Sequence, residues 1–288
     1  MQYCGGATAE ELNDLWSEND YTMRLLLTSG LVLTLLGSAK AQLFPPNEAG
    51  VTMGHIHLNV RDVEAHKKFW VEQFGATLVQ RDRMPGVKLP GMLILFRQQQ
   101  PDGGTEGTVM DHIGLKVRNL AEALKNCRAA GFQVQREFTG SEGFPNAYIF
   151  APDEVKIELQ EDTSLTVPAV SHHLHYYVAD PLPIRDWYVK TFSFRAGKRG
   201  AHQAADLPGM NLSFQPVKVP PIAGTKGRSL DHVGFEVKNL QEFCKKLEVS
   251  GVKLDVPYRK VPSLGIAAAY LTDPLGVYIE LTEGLDTF

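Results

Sequence analysis

The strongest constraint on how this chain folds is an internal repeat. Asp111-His-Ile-Gly-Leu-Lys-Val-Arg-Asn-Leu120 returns as Asp231-His-Val-Gly-Phe-Glu-Val-Lys-Asn-Leu240, an offset of 120. Leu89-Pro-Gly-Met92 returns as Leu207-Pro-Gly-Met210, and Val155-Lys-Ile-Glu-Leu159 as Val277-Tyr-Ile-Glu-Leu281, at offsets of 118 and 122. A finer repeat lies inside each half, because His-x-x-x-x-Val opens at His55, His112, His173 and His232. A fixed period of this kind marks a supersecondary unit that buries its apolar face only against another copy of itself. The chain therefore reads as four modules, at about 51–98, 110–162, 171–217 and 230–283.

Each module opens on an alternating segment such as His55-Ile-His-Leu-Asn-Val60, which has the period of a half-buried strand. The pattern then predicts helices over Val63–Phe74, Leu120–Ala130, Pro183–Phe192 and Leu240–Ser250. Asn119 and Asn239 are placed to cap helix starts, and Gly131 and Gly251 to cap helix ends. Short strands separated by turn residues follow each helix, giving the order βαβββ four times. The predicted class is α+β, with the modules paired into two curved-sheet, half-barrel lobes. Consecutive pairing is simplest and puts lobe 1 at 51–162, a linker at 163–170, lobe 2 at 171–283 and a tail at 284–288. Pairing the first module with the fourth is the alternative.

A divalent metal site needs donors converging on one point, and two imidazoles with one carboxylate leave coordination positions open for substrate oxygens. Consecutive pairing supplies that set twice: His55, His112 and Glu158, then His173, His232 and Glu280. First-with-fourth pairing gives His55, His232 and Glu280 instead. Each glutamate alternates with apolar neighbours on a strand, and a carboxylate on the concave side of a sheet is costly to bury unless paired or coordinated. His57 and His175 share a strand face with His55 and His173, and are candidates for acid-base, supporting or additional ligand roles. His172 is expected to face away from His173, and His66 to be a solvated helix residue. His202 falls in a variable part of the third module.

Four βαβββ modules, a histidine on the first strand of each and a glutamate on the last strand of the second and fourth resemble the vicinal oxygen chelate superfamily. That group includes glyoxalase I, fosfomycin resistance proteins, bleomycin-binding proteins and type I extradiol dioxygenases. The resemblance covers about residues 51–283. It implies a divalent ion (zinc, manganese, iron(II) or nickel) and a small-molecule substrate held through adjacent oxygens. It also implies roles for Tyr270, ten residues before Glu280 where the dioxygenases have an active-site tyrosine, and for Tyr148 at the same place before Glu158. Glyoxalase I has a further acidic ligand on the last strand of the first module of each pair. The matching segments here, Met92–Phe96 and Met210–Phe214, carry no acid. The turn Thr272-Asp-Pro-Leu-Gly276 matches the family's usual form, whereas Ala151-Pro-Asp-Glu154 loses the glycine. The expected function is a metal-dependent enzyme. The alternatives are a sequestering protein of the bleomycin-resistance type and a chain with one active and one structural lobe.

Ahead of the repeat, residues 23–41 read MRLLLTSGLVLTLLGSAKA, a positive charge, an apolar run and a small-x-small cleavage site. The run of about 12 residues is shorter than the roughly 20 needed to span a bilayer. A cleaved signal peptide is expected within a leader of 1–41, with a linker at 42–50 and translation starting at Met23. That implies a periplasmic or secreted protein beginning near Gln42, in which a redox-quiet ion is favoured. Residues 1–22 alone carry −5 against a net charge of −4 for the whole chain, which leaves the mature chain near neutral, with no basic surface advertised for nucleic acid or an anionic membrane. A monomer or homodimer is expected. Cys127 and Cys244 occupy positions the repeat does not superimpose and are expected as buried free thiols.

Overall fold

The computed structural model describes residues 43–287; the leader, its cleavage site and the expected new start at Gln42 lie outside the described residues. The first module is β1 (Val51–Val60), α1 (Val63–Phe74), β2 (Thr77–Arg81), β3 (Met84–Leu89) and β4 (Met92–Gln98). The second is β5 (Met110–Val117), α2 (Leu120–Ala129), β6 (Val134–Thr139), β7 (Pro145–Ala151) and β8 (Val155–Glu161). The third is β9 (Ala169–Val178), α3 (Pro181–Phe192), β10 (Arg195–Arg199), β11 (His202–Leu207) and β12 (Met210–Pro216). The fourth is β13 (Leu230–Val237), α4 (Leu240–Val249), β14 (Val256–Val261), β15 (Ile266–Thr272) and β16 (Tyr278–Glu283).

The helix ends follow local chemistry. Asp62 caps α1 by accepting from the backbone of Glu64 and Ala65, and Gly75 closes the helix in the left-handed conformation. Asn119 caps α2 as expected, but Asn239 adopts φ 58° and makes no side-chain cap, so α4 starts without one. Helix α3 begins two residues earlier than the apolar pattern indicates. Asp180 caps it and Pro181 occupies the first turn, where a missing N–H costs nothing.

The strands form two mixed sheets of eight, in the orders β14-β15-β16-β13-β1-β4-β3-β2 and β10-β11-β12-β9-β5-β8-β7-β6. The first sheet thus joins modules one and four, and the second joins modules two and three. Consecutive pairing, with lobes at 51–162 and 171–283, is not what forms. The segments that cross between the sheets supply the physical reason. Residues 99–109 and 217–229 lie side by side, with Asp102 N donating to Gly227 O, Ser229 N to Gly103 O and Val109 N to Ala223 O. Thr105, Thr108, Thr225 and Ser229 are buried there, so crossed linkers satisfy backbone groups that would otherwise be desolvated without partners.

Strand alternation decides which residues reach the inside of each sheet. On β1, Ile56, Leu58 and Val60 enter the main core, as do Val233, Phe235 and Val237 on β13 and Ile279 and Leu281 on β16. Helix residues Phe69, Trp70, Tyr188 and Phe192 are fully buried in the same core. Each such side chain contributes roughly 1.5–3 kcal/mol of burial free energy. His55, His57, His232 and Glu280 occupy the intervening positions and so share the opposite, concave face. Cys127 and Cys244 are free and buried, and no described helix is long and apolar enough to cross a membrane.

Candidate metal centres

Each concave face gathers three histidines and one glutamate. In the first sheet, His55, His57, His232 and Glu280 bring ligand atoms within 4.8 Å of one another; in the second, His112, Glu158, His173 and His175 do so. All eight side chains are buried. The predicted residues are therefore brought together, but in exchanged sets. His55 joins His232 and Glu280, and His173 joins His112 and Glu158, because modules one and four, and two and three, share sheets. The groupings His55/His112/Glu158 and His173/His232/Glu280 are not formed.

Two glycines make room for this convergence. A β-carbon at Gly234 would lie 1.9 Å from His55 Cε1, and one at Gly114 would lie 2.0 Å from His173 Cε1. The ring contributed by one module thus rests over a bare backbone position of the strand paired with it. Both glycines belong to the repeated Asp-His-x-Gly, and an isolated glycine inside a strand is itself a signal of close approach.

The same motif supplies a carboxylate that strand alternation alone would turn away. The ladder slips between Met110 and His112 on β5 and again beside Asp231 on β13, and these bulges let each aspartate reach the histidine after it. His112 Nδ1 lies 2.8 Å from Asp111 Oδ1, and His232 Nδ1 lies 2.6 Å from Asp231 Oδ1. An ionised carboxylate only accepts, so both Nδ1 atoms donate, and in the neutral ring each Nε2 is a lone pair.

Those lone pairs face another acceptor. His232 Nε2 lies 3.0 Å from Glu280 Oε2, to which neutral His55, its Nδ1 unpartnered, can donate from Nε2 at 2.9 Å, and His112 Nε2 lies 2.9 Å from Glu158 Oε2. Such an arrangement is favourable only with a cation between the groups, either a proton or a metal ion. The titration tendencies agree. Burial alone would lower His112 and His232 and raise Glu158 and Glu280. The facing partners outweigh it, holding both histidines above their ordinary value and both glutamates well below theirs. His173 offers a further fit: its Nε2 is buried without a hydrogen bond, 3.7 Å from Glu158 Oε2, while its Nδ1 lies 3.1 Å from His172 Nδ1. Burial, reinforced by His173, lowers His172 to about 2, so it is neutral and can accept from His173. Thus His172, expected to face away, holds the ring of His173 instead. Imidazole and carboxylate donors, with aspartate holding the far ring nitrogen, suit a divalent first-row ion.

Around these matching clusters the surroundings differ. Tyr270 Oη donates to Glu280 Oε1 at 2.6 Å, whereas Asn146 Nδ2 donates to Glu158 Oε1 at 2.5 Å. Tyr148 lies against His112 with ring centroids 5.0 Å apart, and its hydroxyl pairs with Tyr177. His175 is bonded at both nitrogens, to Gln215 Oε1 and to the buried Arg199 guanidinium, each at 3.2 Å. Arg199 also donates to Ser213 and Glu142 and stands 3.9 Å from Glu158 Oε1. His202 brings its ring centroid within 5.1 Å of that of His175. A cavity of about 560 Å³ opens at Arg199, lined also by Glu142, His172, Asp206 and Asn211. At the first centre Leu93 and Leu95 replace Asn211 and Ser213, and they pack with Ile266, Leu285, Val79 and Met84.

The family model for the glyoxalase/bleomycin resistance protein/dioxygenase superfamily matches residues 52–159 and 170–281. The chain belongs to this superfamily. The two matches follow the sequence halves, not the sheets, since each sheet takes one module from either match. Among solved structures, glyoxalase I from Zea mays is similar, with 17% identity, a TM-score of 0.66 and coverage of 82% of this chain and 93% of that one. A Bacillus subtilis protein assigned as a dioxygenase is similar with 16% identity, a TM-score of 0.61 and coverage of 81% and 85%. At such identities the likeness shows the fold. No curated protein matches the chain in sequence.

Sequence reasoning overlooked Asp111 and Asp231, although their recurrence before each histidine was a signal. It had none for Arg199, which lies on an edge strand 41 residues from Glu158 in sequence. His66, expected in solvent, is buried, and its Nε2 lies 3.1 Å from Asp153 Oδ2, which pins α1 to the turn before β8. A helix residue flanked by charges gave no hint of that long-range partner.

Proposed function

We propose that the chain is a metal-dependent enzyme acting on a small molecule that binds the ion through adjacent oxygens. One observation carries this reading: in each sheet a histidine whose Nδ1 is tied to an aspartate turns its Nε2 lone pair on a glutamate oxygen, beside imidazoles from the paired module, so the contact is favourable only with that buried ring charged or an ion between the groups. The residues that would hold the ion are His55, His232 and Glu280 at one centre and His112, His173 and Glu158 at the other. When bound, the ion supplies a Lewis acid for the paired substrate oxygens. Asp111 and Asp231 keep the ligand rings in one tautomer and orientation. Tyr270 acts as a hydroxyl donor: burial and the nearby Glu280 push its ionisation well above the ordinary value, so it retains its proton. His175 stays neutral, pulled far down by burial and by His112 and His173, and presents a fixed polar edge beside the second centre. Zinc, manganese, nickel and iron(II) all suit this donor set.

A sequestering role is the second reading, favoured by the apolar side chains beside the first centre, which suit an aromatic ligand. The test is elemental analysis of purified protein, followed by a screen of metal-loaded protein against catechols, 2-oxo aldehyde adducts and 2-hydroxy ketones, with binding measured in parallel. Turnover that is lost on chelation and in Glu158→Gln or Glu280→Gln supports the enzyme. Tight metal-independent binding without turnover replaces it with the sequestering role.

A further inference from the structure

The two clusters share their residue types, yet the third histidine of each stands in a different chemical state. His57 is buried and both of its ring nitrogens lack any partner. Its ring centroid lies 4.6 Å from that of His232, and a ring nitrogen lies within the 4.8 Å cluster formed with His55 and Glu280. An imidazole buried without hydrogen bonds is unfavourable, and a cation in the cluster would relieve it by taking the lone pair. His175 holds the equivalent place on β9, but its lone pair is already used. Arginine only donates, so His175 Nδ1 accepts from Arg199; Nε2 then carries the proton and donates to Gln215 Oε1. To bind an ion through either nitrogen, His175 would have to give up Arg199 or turn an N–H towards the guanidinium. At the first centre the residue in the place of Arg199 is Arg81, which donates instead to Gly284 O, and Leu95 replaces Ser213 beneath it.

Resting on the metal-enzyme reading above, we propose that the centres coordinate differently. The first is a four-ligand site of His55, His57, His232 and Glu280; the second is a three-ligand site of His112, His173 and Glu158. Four protein ligands complete a tetrahedral shell of the structural kind, whereas three leave a position for substrate. The first ion then ties β1 to β13 and β16, and so joins the first and last modules of the chain. Turnover would belong to the second centre, beside which stand His175 and, 3.9 Å from Glu158 Oε1, Arg199. Leu93, Leu95, Ile266 and Leu285 make an apolar wall beside the first centre, whereas the second has a polar wall of Arg199, Ser213 and Asn211, with a cavity on the far side of Arg199 and Asn211, and this is the division such roles require.

The test uses the full mature chain in two backgrounds, Glu158→Ala to leave only the first centre and Glu280→Ala to leave only the second. Zinc titration of the first background with and without His57→Ala should show affinity falling at least about tenfold, the scale of losing even a supporting partner. His175→Ala in the second background should leave affinity unchanged. Cobalt(II) reports geometry without touching His57: the first background should give the intense visible bands of a tetrahedral site, and the second the weaker bands of a higher-coordinate, solvent-open one. Identical cobalt spectra, unchanged zinc affinity in a folded His57→Ala, or an equal loss in His175→Ala overturns the assignment. Failure of the unsubstituted chain to take up zinc removes the metal reading itself, which is a distinct result.

Discussion

Replacing Gly234 by alanine adds one methyl group, and its consequence follows from a single contact. The residue lies outside the left-handed region, so the backbone accepts alanine; the obstacle is His55. The new β-carbon would sit 1.9 Å from His55 Cε1 and 2.1 Å from Nδ1, where ordinary contact begins at 3.4 Å. The ring must retreat by about 1.5 Å, against a metal–nitrogen bond near 2.0–2.1 Å that tolerates about 0.2 Å. The first centre should lose one ligand, lowering its zinc affinity by at least the roughly 10- to 100-fold that a lost supporting partner costs. The metal-free protein should lose about 1–3 kcal/mol, the range for overpacking a buried site. Isothermal titration in the Glu158→Ala background reads the first quantity, and urea denaturation of the metal-free protein the second. Adding His55→Ala should return most of the stability, because the clash is gone, and the departure from additivity measures the contact. Wild-type affinity in Gly234→Ala, or additive losses in the double variant, would refute this account of the glycine.

Asp111→Asn and Asp231→Asn should each weaken zinc binding about 10- to 100-fold at one centre, read by competition with a chromogenic chelator, since an amide no longer imposes the Nδ1–H tautomer. Zinc at about a thousand times its dissociation constant should add roughly 4 kcal/mol per occupied site to unfolding stability, so a chelator should lower Tm in calorimetry, and an unchanged Tm would contradict the centres. Glu236 is raised to about 7 by burial, with Asp286 adding to the effect and Thr282 and two backbone N–H groups opposing it. The folded chain therefore keeps a proton that the unfolded chain releases near pH 4.5, and stability should fall as pH rises from about 4.5 to 7. Glu236→Gln should flatten that part of the metal-free stability profile, and an unaltered slope would reject the assignment. We also propose export: mass analysis of protein recovered from the periplasm or medium should find its first residue at or near Gln42, while a retained Met1 in cytosolic protein would exclude it.

Local pattern carried a large share of this protein. The repeat and the alternation within each strand determined four βαβββ modules, and the same alternation placed His55, His57, His232 and Glu280 on one face by setting apolar residues between them. These are properties of neighbouring residues, so they can be read along the chain. Which module pairs with which cannot, because β1 and β9 carry the same His-x-His and β5 and β13 the same Asp-His-x-Gly. Either pairing sets one motif against the other, and the choice falls to hydrogen bonds between two linkers more than a hundred residues apart in sequence. That choice moved His55 from Glu158 to Glu280. It also set Arg199 against His175 while leaving His57 without a partner. The types of candidate ligand were thus a matter of sequence, whereas the membership of each cluster, and the lone pair left free at His57, depended on long-range packing.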